Sequence, residues 1–347
     1  MIQEFDFCGK PLGEGHPPLI VAEVGFNHNG DVDLAKSMLQ AAWDHGADAV
    51  KLQTFNGREL YANSLMADDP ENAGRRIPFY TFFERHQLSA QDYATLFAFA
   101  RQRGILLFST PFDPASLDML VACGLPAVKI ASGDLTYHDL LRLAGRTGLP
   151  VVLSSGMATE EEVGAALEVL RSAGARRLVL LHCVSSYPAA VEDMHLACLP
   201  RLRQRLQTPV GLSDHSLDTM PAVVATSLGA VMIEKHFTLS RDLPGVDQSL
   251  SMEPGDLRAL KDATLAAHRI LGDGGKRPRA AEKGARKGAR RSVVARVDIP
   301  AGTRIDPGML SLKRPGTGIP AGRMADMIGK TARRDIPAEA VLTWEMV

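Results

Sequence analysis

The sequence predicts an α/β protein, a (β/α)8 TIM barrel followed by a small β-rich domain. Three observations carry that reading. Through the first two-thirds of the 347 residues, short apolar runs of the kind that form buried parallel strands alternate with amphipathic stretches. Glycine stands where helix gives way to strand, at Gly46, Gly104, Gly124, Gly148, Gly174 and Gly229, the natural place for a left-handed closing residue. Near residue 272 the alternation stops and the composition changes.

Taken in order, the apolar runs are LIVAEV (19–24), AVKLQTF (49–55), ILLFSTPF (105–112), AVKIAS (127–132), PVVLSS (150–155), LVLLHC (178–183), PVGLSD (209–214) and AVMIEKHF (230–237). Segments such as DLAKSMLQAAWDHG and EEEVGAALEVLRSAG lie between them. Eight such units in about 250 residues fit a closed barrel better than an open doubly wound sheet. No GxGxxG or P-loop follows any strand, which argues against nucleotide binding at a strand end. The barrel domain is expected over 1–271 and a linker over 272–291. Residues 276–291 hold eight Lys or Arg against one Glu, with no apolar periodicity. Aromatic residues that would stack bases are absent there, so a solvated linker hugging an acidic barrel is preferred over a nucleic-acid arm. Residues 292–347 form short β-like runs broken by Pro and Gly, with DIPA at Asp298–Ala301 and again at Asp335–Ala338. That pattern suggests a pseudo-symmetric β-rich domain, short of core and docked on something.

Net charge is −1, which carries no signature of a nucleic-acid or membrane binder. The N-terminus has no apolar stretch of signal-peptide length and nothing later approaches a membrane span. Cys8, Cys123, Cys183 and Cys198 show no CxxC spacing, as expected of reduced core or surface thiols. A cytoplasmic location is expected.

Barrel chemistry lies where the strands end. In order, those ends read Glu23, Lys51 and Gln53, Ser109 and Thr110, Lys129 and Ser132, Ser154 and Ser155, His182, Ser213 with His215, and Glu234 with His236. A lone strand histidine is usually a satisfied core residue, but so many polar ends are not explained by packing. Lys51, Lys129, Thr110, Ser132, Ser154 and Ser213 make a cationic, hydroxyl-rich set suited to a phosphate and a carboxylate. Glu234 and His236, two apart, share a face, and His215 on the neighbouring strand can meet them. Two imidazoles with open positions suit a divalent Lewis acid; Mn²⁺, Co²⁺ or Zn²⁺ is chemically plausible. Schiff-base aldolase chemistry on a barrel lysine is the rival mechanism. A non-catalytic sugar- or ice-binding module is the rival in another class. NHNG (27–30) reads equally as catalytic or as a turn.

The chain resembles the sialic acid synthases, that is, N-acetylneuraminate synthases and their bacterial nonulosonate relatives. The resemblance spans nearly the whole chain, through AEVGFNHNGD (22–31), VKLQTF (50–55), FSTPFD (108–113), VKIASGDL (128–135), LSSGMAT (153–159), LHCVSSYP (181–188), GLSDHS (211–216), IEKHFT (233–238) and an antifreeze-like (SAF, β-clip) tail with KRPGTGI (313–319). It implies condensation of phosphoenolpyruvate with N-acetylmannosamine and water, giving N-acetylneuraminic acid and phosphate. It also implies Mn²⁺ or a similar ion (Co²⁺, Mg²⁺, Zn²⁺) on His215 and His236. Lys51, Thr110, Lys129, Ser132, Ser154 and Ser213 would hold phosphoenolpyruvate, and Glu23, Gln53, Tyr187 and Asp247 would face the acceptor. The tail would cross to a second copy in a domain-swapped homodimer and deliver Arg314. Glu234 is expected to deprotonate or position the attacking water. Where these enzymes often carry asparagine, this chain has Ser185 and Ser186. That departure brings in a 2,4-diacetamido hexose, the acceptor of legionaminic and pseudaminic acid synthases, as the alternative. The stretch 64–90 borders the same mouth and bears on the same choice.

Overall fold

The computed structural model describes residues 4–72 and 74–347; Met1–Gln3, and Ala73 inside the 64–90 stretch, lie outside the described residues. Eight parallel strands close into a barrel. They are β1 (Leu19–Gly25), β2 (Ala49–Thr54), β3 (Leu107–Pro111), β4 (Val128–Ile130), β5 (Val151–Ser154), β6 (Leu178–Cys183), β7 (Val210–Asp214) and β8 (Met232–His236). Each pairs with its neighbour in sequence, and β8 closes on β1 from Met232↔Leu19 to His236↔Glu23. The strands are buried on both faces, which is why they are near-continuous apolar runs rather than alternating ones. All six helix-to-strand glycines sit at positive φ, as their position requires.

Three motifs supply the caps of the helices that follow them. Asp31 caps Val32–Asp44, Asp113 caps Pro114–Ala122, and Thr159 forms a capping box with Glu162 on Glu160–Ser172. NHNG is a turn that ties the β1 end to the loop after β8. Asn27 Nδ2 donates to the Phe237 carbonyl (2.9 Å) and to Ser251 Oγ (3.0 Å), and Gln248 Nε2 donates to the Asn27 carbonyl (2.7 Å). Asn29 adopts φ 51° and Gly30 φ 79°, so the left-handed reading of this tetrapeptide is the one realised.

A hairpin, Phe5–Phe7 with Lys10–Leu12, seats Phe7 edge-on against Phe108 of β3 at 6.1 Å. The insertion between β2 and β3 builds a satellite core of Phe26, Phe55, Ile77, Phe82 and Phe83, with Phe112 packed against it. Its polar tie is Asp69, buried and held by both terminal nitrogens of Arg85 at 3.1 and 3.2 Å.

The chain divides into two compact units, Met1–Gly272 and Asp273–Val347. In the second, the DIPA repeat is reciprocal: Ile299 and Ile336 exchange both backbone hydrogen bonds (2.9 Å each), Asp335 Oδ1 accepts from Ala301 N–H, and Asp298 Oδ1 accepts from Ala338 N–H (2.7 Å each). Its core is Val293, Ala295, Ile299, Ile305, Leu310, Ile319, Met327, Ile336 and Leu342. The stretch expected as a featureless linker carries a short exposed helix, Lys283–Ala289, and Gly316 N–H donates to the Lys287 carbonyl at 2.8 Å. Lacking an apolar stripe, that helix leaves no periodic signal in the sequence.

Candidate active site

Strand alternation sorts the polar ends into two sets. On β8, Glu234 and His236 line the cavity at the C-terminal mouth, while Lys235 turns to the other face and binds Asp214 at 2.9 Å. On β3, Thr110 lines the cavity, whereas Ser109 Oγ donates to the Leu52 carbonyl at 2.9 Å. Ser155 Oγ donates to the Leu181 carbonyl (3.0 Å), and His182 Nε2 lies 2.8 Å from the Met194 carbonyl. Ser109, Ser155 and His182 are therefore satisfied outside the mouth, contrary to the reading of every strand end as functional. The cavity, about 350 Å³, gathers Glu23, Lys51, Gln53, Thr110, Lys129, Ser132, Ser154, Tyr187, Ser213, His215, Glu234 and His236.

Its centre is a buried charge quartet. Lys51 Nζ lies 3.1 Å from Glu23 Oε2, 3.2 Å from Glu234 Oε2 and 3.3 Å from Thr110 Oγ1. Lys129 Nζ is 3.9 Å from Glu234 Oε1, which also accepts from Ser213 Oγ at 3.0 Å. Gln53 Nε2 donates to Glu23 Oε1 at 3.0 Å. Two carboxylates and two ammonium groups balance, which makes their burial tolerable. Their protons are nevertheless unevenly held. Burial pushes Glu23 up to about 7 despite Lys51, whereas for Glu234 the two lysines outweigh burial and hold it low. Burial lowers Lys129 to about 8; for Lys51 the opposing effect of Glu23 and Glu234 wins and its pKa rises. Ser154 Oγ is buried without a hydrogen-bond partner, an unused donor in the cavity lining.

Beside the quartet, the His215 and His236 rings stand 5.5 Å apart, with Tyr187 4.1 Å from the first and 6.1 Å from the second. His215 Nδ1 lies 2.8 Å from the Val184 carbonyl, which fixes a proton there and leaves Nε2 free. Burial lowers His236 to about 3, so its ring is neutral, and its Nδ1 is buried without a hydrogen-bond partner. For His215 burial is outweighed by the hydrogen bond and charge of Cys183, and its pKa is raised. Each ring nevertheless keeps an unused nitrogen, Nε2 of His215 and Nδ1 of His236, and such a pair fits a divalent ion. Among the described residues no group of three His, Cys, Asp or Glu side chains converges, so remaining positions would fall to water or substrate.

Asp247 lies outside the cavity lining but 3.6 Å from His236 Nδ1, and burial raises its carboxyl to about 6. Arg314 belongs to the other compact unit, exposed on the loop 313–319. Ser185, already singled out in the sequence, lines the mouth, as do Phe112, Gly133, Met157 and Cys183, which were not anticipated. Cys183 was legible: it pairs in register with Ser213, and its sulfur lies 3.8 Å from His215 Nδ1. Gly156 packs so close to Ser185 Oγ that a Cβ there would clash with it.

Residues 38–276 match the NeuB family model, and residues 290–347 match the SAF domain model. The chain belongs to the NeuB family. This NeuB-family chain is 36% identical to the N,N'-diacetyllegionaminic acid synthase of Legionella pneumophila, over 97% of both chains. It is 33% identical to the pseudaminic acid synthase of Helicobacter pylori, covering 94% of this chain and 97% of that one. Among solved structures it resembles the N-acetylneuraminic acid synthetase of Leptospira borgpetersenii, with 34% identity and a TM-score of 0.75 over 82% of this chain and 95% of that chain. No helix among the described residues is long and apolar enough to cross a membrane.

Proposed function

We propose that the protein is a nonulosonic acid synthase that condenses phosphoenolpyruvate with an N-acetylated amino sugar and water, forming a nine-carbon 2-keto acid and releasing phosphate. The observation that carries this is the quartet at the mouth: two buried lysines among hydroxyls, with two carboxylates whose pKa values diverge. Such divergence separates a proton carrier from a permanent anion. Lys51 and Lys129, with Thr110, Ser132, Ser154 and Ser213, take the phosphate and carboxylate of phosphoenolpyruvate as charge-assisted hydrogen-bond partners.

His215 and His236 would hold a divalent ion, Mn²⁺ by preference, which when bound supplies Lewis-acid polarisation of the acceptor carbonyl. The chain's own residues do the rest. The enol C3 adds to the open-chain aldehyde carbon, and Glu23, at about 7, is the group able to give a proton to the oxygen that gains the electron pair. The cation left at C2 is captured by water, placed by Glu234. Trapping a cation demands little basicity, so a carboxylate held low is adequate as a positioning anion. The C2–O bond then breaks and the ketone forms as the two protons of that water are lost, one leaving with phosphate and one returning to the Glu23 carboxylate. The aldolase reading is disfavoured at Lys51, which two carboxylates engage at 3.1 and 3.2 Å and whose pKa is raised, so that it is not offered as a free amine.

For the acceptor, the Legionella and Helicobacter relatives favour a 2,4-diacetamido hexose over N-acetylmannosamine. The purified protein would be incubated with phosphoenolpyruvate, Mn²⁺ and a panel of 2-acetamido and 2,4-diacetamido hexoses, following phosphate release and product mass. Turnover best with N-acetylmannosamine would reverse the preference, and release with no sugar would reject the reading.

A further inference from the structure

A second cavity lies at the opposite end of the barrel from the quartet. About 350 Å³ in volume, it is lined at the starts of β6 and β7 by Leu178 and Pro209 and walled by Phe5, Ala175 and three arginines, Arg171, Arg176 and Arg177. The nearby Arg201, Arg203 and Arg205 each pair with a glutamate. Among the described residues, Arg171, Arg176 and Arg177 pair with no carboxylate. Neutral groups orient two of them instead: Arg171 Nη2 donates to the Leu206 carbonyl and to Thr208 Oγ1 (2.7 Å each), and Arg177 Nη2 donates to the Gly148 carbonyl (3.0 Å). Carbonyls fix a guanidinium without neutralising it, so the charge stays available.

This charge is not a by-product of a basic surface. Asp273–Val347 carries sixteen Lys and Arg against eight Asp and Glu, a net of +8, which leaves −9 for residues 1–272 out of the total −1. Three uncompensated cations in an acidic unit are a local feature. Gln207, in the left-handed region at φ 50°, turns the chain around the rim and bonds back to the Gln204 carbonyl at 2.6 Å. Guanidinium forks match phosphate geometry, and the cavity is of small-ligand size with an apolar side.

We propose that this cavity is a second, non-catalytic anion site that takes the phosphate of a mononucleotide, its flat body against Phe5. The site stands independently of the chemistry proposed at the mouth.

Titration calorimetry on the full chain tests it with three probes: adenosine monophosphate, adenosine and inorganic phosphate. The nucleotide should bind, phosphate more weakly, and adenosine not at all. The double variant Arg176→Ala Arg177→Ala should lose about tenfold or more in affinity, the scale of one charge-assisted bond. The single variant Arg176→Ala, at an exposed position, should weaken binding without a folding effect, and Lys129→Ala at the mouth should leave it unchanged. Absence of nucleotide binding overturns the proposal. So does binding that Lys129→Ala abolishes while the double variant keeps it, and so does phosphate binding as tightly as the nucleotide.

Discussion

Lys51 stands almost equidistant from Glu23 and Glu234, yet only Glu234 has Lys129 and a serine hydroxyl as further partners. That asymmetry decides where a proton resides: on Glu23, near neutrality. If Glu23 must be protonated to donate, kcat falls as pH rises through about 7, because the donor form is lost above its pKa. Glu23→Gln should lower kcat by about 10²–10⁴-fold and erase that limb, leaving a later decline near the Lys129 value of about 8. A pH–rate profile unchanged in Glu23→Gln would assign the proton elsewhere. The histidine pair makes its own prediction. Chelator treatment should abolish activity and Mn²⁺ restore it, while borohydride with both substrates should trap no adduct on Lys51, Lys129 or Lys235. A covalent adduct detected by mass spectrometry would replace the metal reading with imine chemistry.

At the scale of elements, the loops between strands and helices do more than carry chemistry. NHNG holds β1 to the loop after β8, and that same loop brings Asp247 beside His236. Removing the buried amide in Asn27→Ala leaves the Phe237 carbonyl and Ser251 hydroxyl short of a donor, at a cost of about 1–3 kcal/mol. Urea denaturation should show a lower midpoint at unchanged m-value, with the Michaelis constant for phosphoenolpyruvate little altered because Lys51 and Lys129 lie on other strands. Intact stability together with lost phosphoenolpyruvate affinity would return the motif to the catalytic machinery. The strands themselves were legible because a doubly buried strand must be apolar along its length, and the polar ends stood out against that background. Which ends face the mouth follows from alternation, as Lys235 and Glu234 show. Phe112 and Met157 were not legible, since uncharged loop residues reach the cavity only through the path of the chain.

At the scale of the molecule, the two compact units carry opposite charge, −9 and +8. Opposite charge attracts a tail to a barrel whichever chain each belongs to, and that attraction weakens with salt. The homodimer that the family resemblance implies, with Arg314 arriving from the partner, is tested by mixing His236→Ala with Arg314→Ala. In a crossed dimer one mouth carries both lesions and the other none, so co-refolding should recover part of the activity, less of it at high ionic strength. Mixed dimers that form yet stay inactive would show each tail serving its own chain.

The sequence by itself determined the barrel, the tail and most of the lining of the mouth. Burial imposes a residue-by-residue apolar pattern, and a charge placed against that pattern is visible without coordinates. It also held the DIPA repeat, although the reciprocal Asp–Ala and Ile–Ile pairing appeared only when the two copies were brought together. Tertiary structure alone decided which carboxylate keeps the proton, that His236 is neutral, and that three arginines share an unneutralised cavity. These depend on distances among residues far apart in the chain, and electrostatic energy follows distance and burial rather than spacing along the sequence.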